Sequence, residues 1–197
     1  MLKIGITGNI GSGKTTVCHI FEHLGIPVYY SDIEAKKFYN NQDVKDKLYS
    51  LFGKEIFTEK YDIDKKKLTE IVFTNAEFLS KLNKIIHPLV LTHFEKWSKN
   101  YENNSYILFE SAILYSCNLT HLFDKIILVN SPVNLIIERV MKRDKINFDE
   151  INKRLNVQSF TDYNPDYIIY NDEKQLVIPQ VMRIHQELTP SPQKPHF

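Results

Sequence analysis

The chain has 197 residues, with 25 Lys and Arg against 24 Asp and Glu and a formal net charge of +1, so it lacks the overall basic field that draws a protein to polynucleotides. Cys18 and Cys117 stand far apart, without a Cys-x-x-Cys or Cys/His ligand spacing, which argues against a disulfide framework or a zinc site and for a reducing, cytoplasmic setting. The length suits one domain with a small insertion. No apolar run approaches the ~20 residues of a membrane helix, and the early start of the first strand leaves no room for a signal peptide.

Residues 2–7, Leu-Lys-Ile-Gly-Ile-Thr, form a short apolar run leading into Gly8-x-x-x-x-Gly13-Lys14-Thr15, a complete P-loop. A loop wrapped around a phosphate turns its backbone N–H groups inward, which glycines at 8, 11 and 13 permit. Lys14 then reaches the terminal phosphates and Thr15 offers a hydroxyl to Mg2+. Val17, Ile20, Phe21 and Leu24 recur at helical spacing, so the loop opens a helix whose positive end faces the anion.

Gly25 is a helix stop, and residues 26–30 read as a second strand running into Ser31-Asp32, with a carboxylate at its carboxyl end. From Asp32 to about Tyr101 the pattern predicts helices over 34–39, 43–52 before Gly53, 65–73 behind Asp64, 76–86 behind Asn75, and 88–99 starting at Pro88. This stretch exceeds an ordinary crossover. We expect 32–103 to be a helical insertion that binds the acceptor substrate, although a cap serving stability alone fits the same apolar stripes. Buried-strand runs return at Tyr106–Phe109, ending in Glu110, and at Ile126–Val129, ending in Asn130-Ser131. Ser131 as N-cap and Pro132 at the first helical position start a helix with Val133, Ile136, Ile137, Val140 and Met141 on one face. Asn147 and Glu150 open another helix in capping-box fashion, with Arg154 and Gln158 four residues apart. Residues 167–170 make a last strand and 174–187 a last helix, while 189–197, with three prolines, reads as a disordered tail.

Strands alternating with helices give an α/β fold of P-loop NTPase type, a parallel sheet flanked by helices with ligands at the carboxyl ends of its strands. The expected division is one domain over 1–188, with a core of 1–31, 104–132 and 165–188, the insertion 32–103, and a helical lid at about 139–160.

Phosphoryl transfer asks for charge neutralisation and alignment more than for covalent chemistry. Arg139 and Arg143, spaced i,i+4, and Arg154 beyond them fit a lid that closes cations over the phosphate; a solvated face with Glu138 and Lys142 as an ordinary helix pair is the alternative. Glu110 stands where P-loop proteins hold Mg2+ through an acid, directly or through water, and equally where an acid caps the next helix. Asp32 is placed to meet an acceptor hydroxyl as a base. His87 before Pro88 is of a kind more often found capping or packing than acting as a base.

The ordered set of segments resembles the dephospho-coenzyme A kinase family over nearly the whole chain. It comprises the opening Ile4-Gly-Ile-Thr-Gly-Asn-Ile-Gly-Ser-Gly-Lys-Thr15, then Asp32 as the second acid of an Asp-Ala-Asp motif, then Ile86-His87-Pro88. Arg139-Val-Met-Lys-Arg143-Asp144, Arg154-Leu-Asn-Val-Gln158 and Pro165-Asp166-Tyr-Ile-Ile-Tyr-Asn171 complete it. Three departures stand out: Tyr30 replaces the first acid, Pro165 an alanine, and Glu110 to Ser116 replaces Asp-x-Pro-Leu-Leu-Phe-Glu. The resemblance implies ATP-dependent phosphorylation of the ribose 3'-hydroxyl of dephospho-coenzyme A, the last step of coenzyme A synthesis. It implies catalytic roles for Asp32, Lys14, Arg139 and Arg143, and ATP binding by Gly8, Gly11, Ser12, Gly13, Lys14, Thr15, Thr16, Arg143 and Arg154. Thr7, Asp32, His87 and Glu110 fall on the acceptor side, with Mg2+ at Thr15 and at Glu110 through water. Partners are then the two small-molecule substrates, with no nucleic acid or membrane, for a monomer or small homo-oligomer. A kinase of another small nucleotide is the nearest rival. A GTPase switch lacks its Asp-x-x-Gly and Asn-Lys-x-Asp.

Overall fold

The computed structural model describes residues 1–148, 150–151, 155 and 164–189. The chain divides into two compact units, Met1–Tyr29 with Asn100–Phe197, and Tyr30–Lys99.

In the first unit lies a five-stranded sheet in the order β2-β3-β1-β4-β5, from β1 (Leu2–Thr7), β2 (Val28–Tyr30), β3 (Tyr106–Glu110), β4 (Lys125–Asn130) and β5 (Tyr167–Tyr170). β1 pairs in parallel with β3 and β4, and β4 with β5. Ile4, Ile6, Ile107, Leu108 and Ile127 are fully buried, as strands covered by helices on both faces require. The expected parallel sheet flanked by helices is what the chain forms. α1 (Lys14–His23) buries Val17, Cys18 and Phe21, and Phe21 meets Tyr106 edge to face at 6.3 Å. The register sets Ile6 beside Glu110, Thr7 beside Leu128 and Asn130 beside Tyr170, so four strands end at one edge and their loops gather there.

Two helix starts in this unit differ from expectation. α6 (Val133–Asp144) begins at Val133 behind extended Pro132, without a side-chain cap; Ser131 is not the N-cap, because its hydroxyl is engaged elsewhere on the sheet edge. The final helix, α7 here (Val177–Leu188), starts three residues later than 174. Asp172 Oδ1 accepts from the Lys174 and Gln175 N–H groups at 3.0 and 2.9 Å, and this Asx turn competes with the helix. Asn147 Oδ1 does cap, accepting from Glu150 N at 2.9 Å. Arg154, Gln158 and all of the expected tail except Thr189 lie outside the described residues.

The second unit holds α2 (Ser31–Phe38), α3 (Gln42–Phe52), α4 (Lys65–Thr74) and α5 (Ala76–Ser98). Asn41, Asp64 and Asn75 each cap the next helix by accepting two backbone N–H bonds, a motif worth about 1 kcal/mol each. Pro88 does not start a helix: α5 runs through it unbroken. A buried stripe at Leu82, Ile86, Val90, Phe94 and Ser98 continues on both sides of the proline, and its packing outweighs the roughly 3 kcal/mol that an internal proline costs. Among the described residues no helix is long and apolar enough to cross a membrane.

Candidate active site

β1 delivers the chain into the loop at Gly8, whose φ of +147° only glycine adopts freely. A Cβ there would lie 2.3 Å from the Val129 carbonyl oxygen, so the loop leaves the sheet edge with no room for a side chain. Ser12 N–H donates to Asn9 O at 3.1 Å and closes the turn. The Ser12 side chain is buried and its Oγ has no hydrogen-bond partner among the described residues. α1 then starts at Lys14 without a side-chain cap, which leaves its first-turn N–H groups to a ligand. An orphaned hydroxyl, an uncapped helix start and backbone too crowded for a Cβ make a cradle suited to an anion. Thr7 is buried at the end of β1, whereas Thr15 and Thr16 are exposed in the first turn of α1.

Lys14 is 7 % exposed, and its ammonium donates to Gly8 O at 2.8 Å and Asn9 O at 3.1 Å, 3.9 Å from Glu110 Oε1. A buried lysine is tolerated only with partners of this kind. The structure therefore brings Lys14 and Glu110 together, at the foot of the loop. Cys18, one turn along α1, has its thiol pushed up by burial and then by the Glu110 charge, so it remains a neutral, unreactive thiol. Thr15 and Glu110 present hard oxygen donors, the kind Mg2+ prefers.

Arg139 and Arg143 lie one turn apart on α6 but engage different partners. Arg139 Nη1 donates to Ser131 Oγ at 3.1 Å and to Asn171 O at 3.2 Å, and Nη2 to Glu173 Oε1 at 3.0 Å. Arg143 is exposed and grips its neighbour Asp144 through Nε and Nη2 at 2.7 and 2.9 Å; this hydrogen bonding raises its pKa further. The first arginine is thus tied to the sheet edge, and the second to its own helix end.

In the helical unit, Asp32 sits in the first turn of α2 rather than at the end of a strand, where the helix dipole favours a negative charge. His87, on α5, has its pKa lowered by burial, with the Asp32 charge opposing. Burial and then Asp32 also raise the Tyr39 phenol. Asp32, Tyr39 and His87 therefore form one electrostatic group within this unit. No sequence signal pointed to Tyr39. Ser131, Asn171 and Glu173 gather around Arg139 from two strand ends; the sequence singles out Ser131 only as a helix cap and Asn171 only as the end of a resemblance segment, and it does not single out Glu173.

A parallel sheet whose first strand turns into a glycine cradle with a buried lysine defines a P-loop phosphotransferase. A sequence model of the dephospho-CoA kinase family matches residues 2–175. A dephospho-CoA kinase of Bacteroides fragilis is 36 % identical over 93 % of this chain and 91 % of its own length. A solved structure from Thermus thermophilus superposes with a TM-score of 0.83 at 25 % identity, covering 96 % of this chain and 98 % of that one. The dephospho-CoA kinase from Campylobacter jejuni gives 0.57 at 25 %, over 95 % and 97 %. The chain belongs to the dephospho-CoA kinase family.

Proposed function

We propose that this protein transfers the γ-phosphoryl group of ATP to the ribose 3'-hydroxyl of dephospho-coenzyme A, giving coenzyme A and ADP. The observation that carries this is the cradle itself: an orphaned Ser12 hydroxyl, an uncapped α1 and buried Lys14 in a chain of this family. The 3'-oxygen bonds to the γ-phosphorus, the bond from that phosphorus to the β,γ-bridging oxygen breaks, and ADP leaves. Asp32 accepts the hydroxyl proton as the new bond forms, a role worth ~10²–10⁴-fold. Gly8, Gly11, Ser12, Gly13, Thr15 and Thr16 hold the phosphates through backbone and hydroxyl donors, and Lys14 supplies a fixed positive charge to the terminal ones.

Arg139, Arg143 and Arg154 supply cations for the transferring group, the lid reading for residues 139–160, which asks Arg139 to exchange its Ser131, Asn171 and Glu173 contacts and Arg143 its Asp144 contact for phosphate oxygens. Thr7, His87 and Glu110 complete the acceptor side, with 32–103 as the acceptor-binding insertion. Thr15 and, through water, Glu110 are the residues that would hold Mg2+, which when bound would neutralise phosphate charge. We further propose a cytoplasmic enzyme acting on these small molecules alone, as a monomer or small homo-oligomer.

The test is ADP release, with ATP and Mg2+, against dephospho-coenzyme A, adenosine monophosphate, other nucleoside monophosphates and no acceptor. Rapid turnover with dephospho-coenzyme A alone, with the phosphate on the 3'-oxygen, is expected. Efficient transfer to nucleoside monophosphates without that preference would overturn the acceptor and leave a kinase.

A further inference from the structure

The carbonyl of Ser12 faces away from the loop toward Asn171 Nδ2, which donates at 2.9 Å, and toward Ser131 Oγ at 3.0 Å, whose single proton is shared between this carbonyl and Asn171 O. These residues come from the ends of β5 and β4, 159 and 119 positions away in sequence. Because Ser12 O is an acceptor, the Asn171 amide must present its nitrogen there, not its oxygen. The peptide unit between Ser12 and Gly13 is planar and trans, so its C=O and N–H point in opposite directions. Donors that hold the Ser12 carbonyl outward therefore turn the Gly13 N–H to the opposite side of that peptide, inward to the cradle. That N–H has no acceptor among the described residues.

The fit is close. A Cβ on Gly13 would fall 2.1 Å from Asn171 Nδ2, at a φ of +95°, so the amide occupies the space that the missing side chain leaves. The clamp is itself braced. Ser131 Oγ also lies 2.7 Å from Asn171 O, and Arg139 Nη1 bonds both Ser131 Oγ and Asn171 O while its Nη2 holds Glu173. Each of these contacts fixes a backbone group beside the loop or a side chain that holds the loop.

We propose that Asn171, assisted by Ser131, is a positioning residue for phosphoryl transfer: it locks the Ser12–Gly13 peptide so that the Gly13 N–H is aimed at the nucleotide's phosphate oxygens before ATP arrives. Asn171 touches no substrate in this role and acts through the peptide it orients. The benefit is preorganisation, since a donor that need not rotate on binding costs nothing to reorient in the transition state. The proposal rests on the reading of the loop as the ATP phosphate cradle.

The experiment compares the purified full chain with Asn171→Asp and Ser131→Ala. It measures calorimetric Kd for Mg2+-ATP, for inorganic tripolyphosphate and for adenosine, kcat and KM for ATP, and the melting temperature. Asn171→Asp keeps the shape but puts an oxygen where the donor stood. The lost bond and the opposed oxygens should weaken ATP and tripolyphosphate binding by about 10- to 100-fold, with adenosine affinity within about twofold. Ser131→Ala should weaken the same two ligands by about 3- to 10-fold. It serves as the test alone if the aspartate variant fails to fold. Equal loss for adenosine and tripolyphosphate, or a lowered melting temperature with phosphate affinity unchanged, would reduce Asn171 to a structural contact and overturn the proposal. Failure of the unaltered protein to bind tripolyphosphate at all would instead overturn the cradle reading beneath it, and this proposal with it.

Discussion

Replacing Lys14 by alanine separates two effects that the sequence alone merges. The first is chemical: the cation that serves the terminal phosphates is gone and turnover should be abolished. The second concerns folding, because Lys14 lies 3.9 Å from the Glu110 carboxylate and both groups are only 7 % exposed. At that separation, with an effective dielectric near 20, the attraction is about 4 kcal/mol, and breaking a buried pair by removing one partner costs about 3–5 kcal/mol. The lysine's own desolvation cost disappears with it, so about 3 kcal/mol is the working figure, a fall of roughly 6–12 °C in melting temperature for a chain of this size. Glu110→Gln added to Lys14→Ala removes the carboxylate's buried charge and should restore more than half of that loss without restoring activity. Thermal unfolding by circular dichroism and ADP release, run on both variants, check this. A Lys14→Ala protein melting within about 2 °C of the parent, or a double variant no more stable than the single one, would refute the reasoning about the pair.

Asp32→Asn keeps the size of the side chain but removes its basicity, so turnover should fall ~10²–10⁴-fold with ATP affinity little changed; loss of Mg2+-ATP binding in a folded variant would assign Asp32 to the metal instead. Burial holds His87 below the ordinary histidine value of ~6.5. Between that depressed value and ~6.5 the unfolded chain binds more protons than the folded one, so stability rises with pH there, is complete above ~6.5 and is lost as pH falls. His87→Gln should flatten that segment of a melting-temperature profile, and an unchanged slope would count against it. Asp32→Asn should lower the His87 titration further, read by NMR, since Asp32 opposes the burial effect. Gly8→Ala must place a Cβ 2.3 Å from Val129 O at a positive φ, so it should misfold or lose ATP binding outright; a stable variant with normal ATP affinity would mean that the loop can leave the sheet by another path.

What could be read from the residue order was everything governed by local physics. The P-loop is eight contiguous residues, and its strand and helix follow from patterns a few residues long. The caps at Asn41, Asp64 and Asn75 act within one turn, which is why the helices behind Asp64 and Asn75 start where expected, at Lys65 and Ala76. Local signals misled where a distant partner outbid them. Pro88 reads as a helix start, yet the stripe from Leu82 to Ser98 packs along its whole length and carries α5 through it. Ser131 reads as an N-cap, yet its hydroxyl is drawn to Ser12 and Asn171. Asp172 is itself a short-range signal in the sequence, and its Asx turn delays α7.

By itself, then, the sequence determined the class of sheet, the phosphate loop and the places of Lys14 and Glu110, because strand periodicity and the P-loop spacing each specify a geometry without help from afar; it put Asp32 at a strand end, where the structure has the first turn of α2. Only the tertiary structure decided how deeply Lys14 and Glu110 are buried together, which neighbours hold Arg139, and that Asn171 holds the carbonyl of Ser12. The physical reason is that parallel strands joined by crossovers bring the ends of β1, β3, β4 and β5 to one edge. The groups that orient the loop arrive there from positions more than a hundred residues away, and no pattern within a short window records which of them will meet.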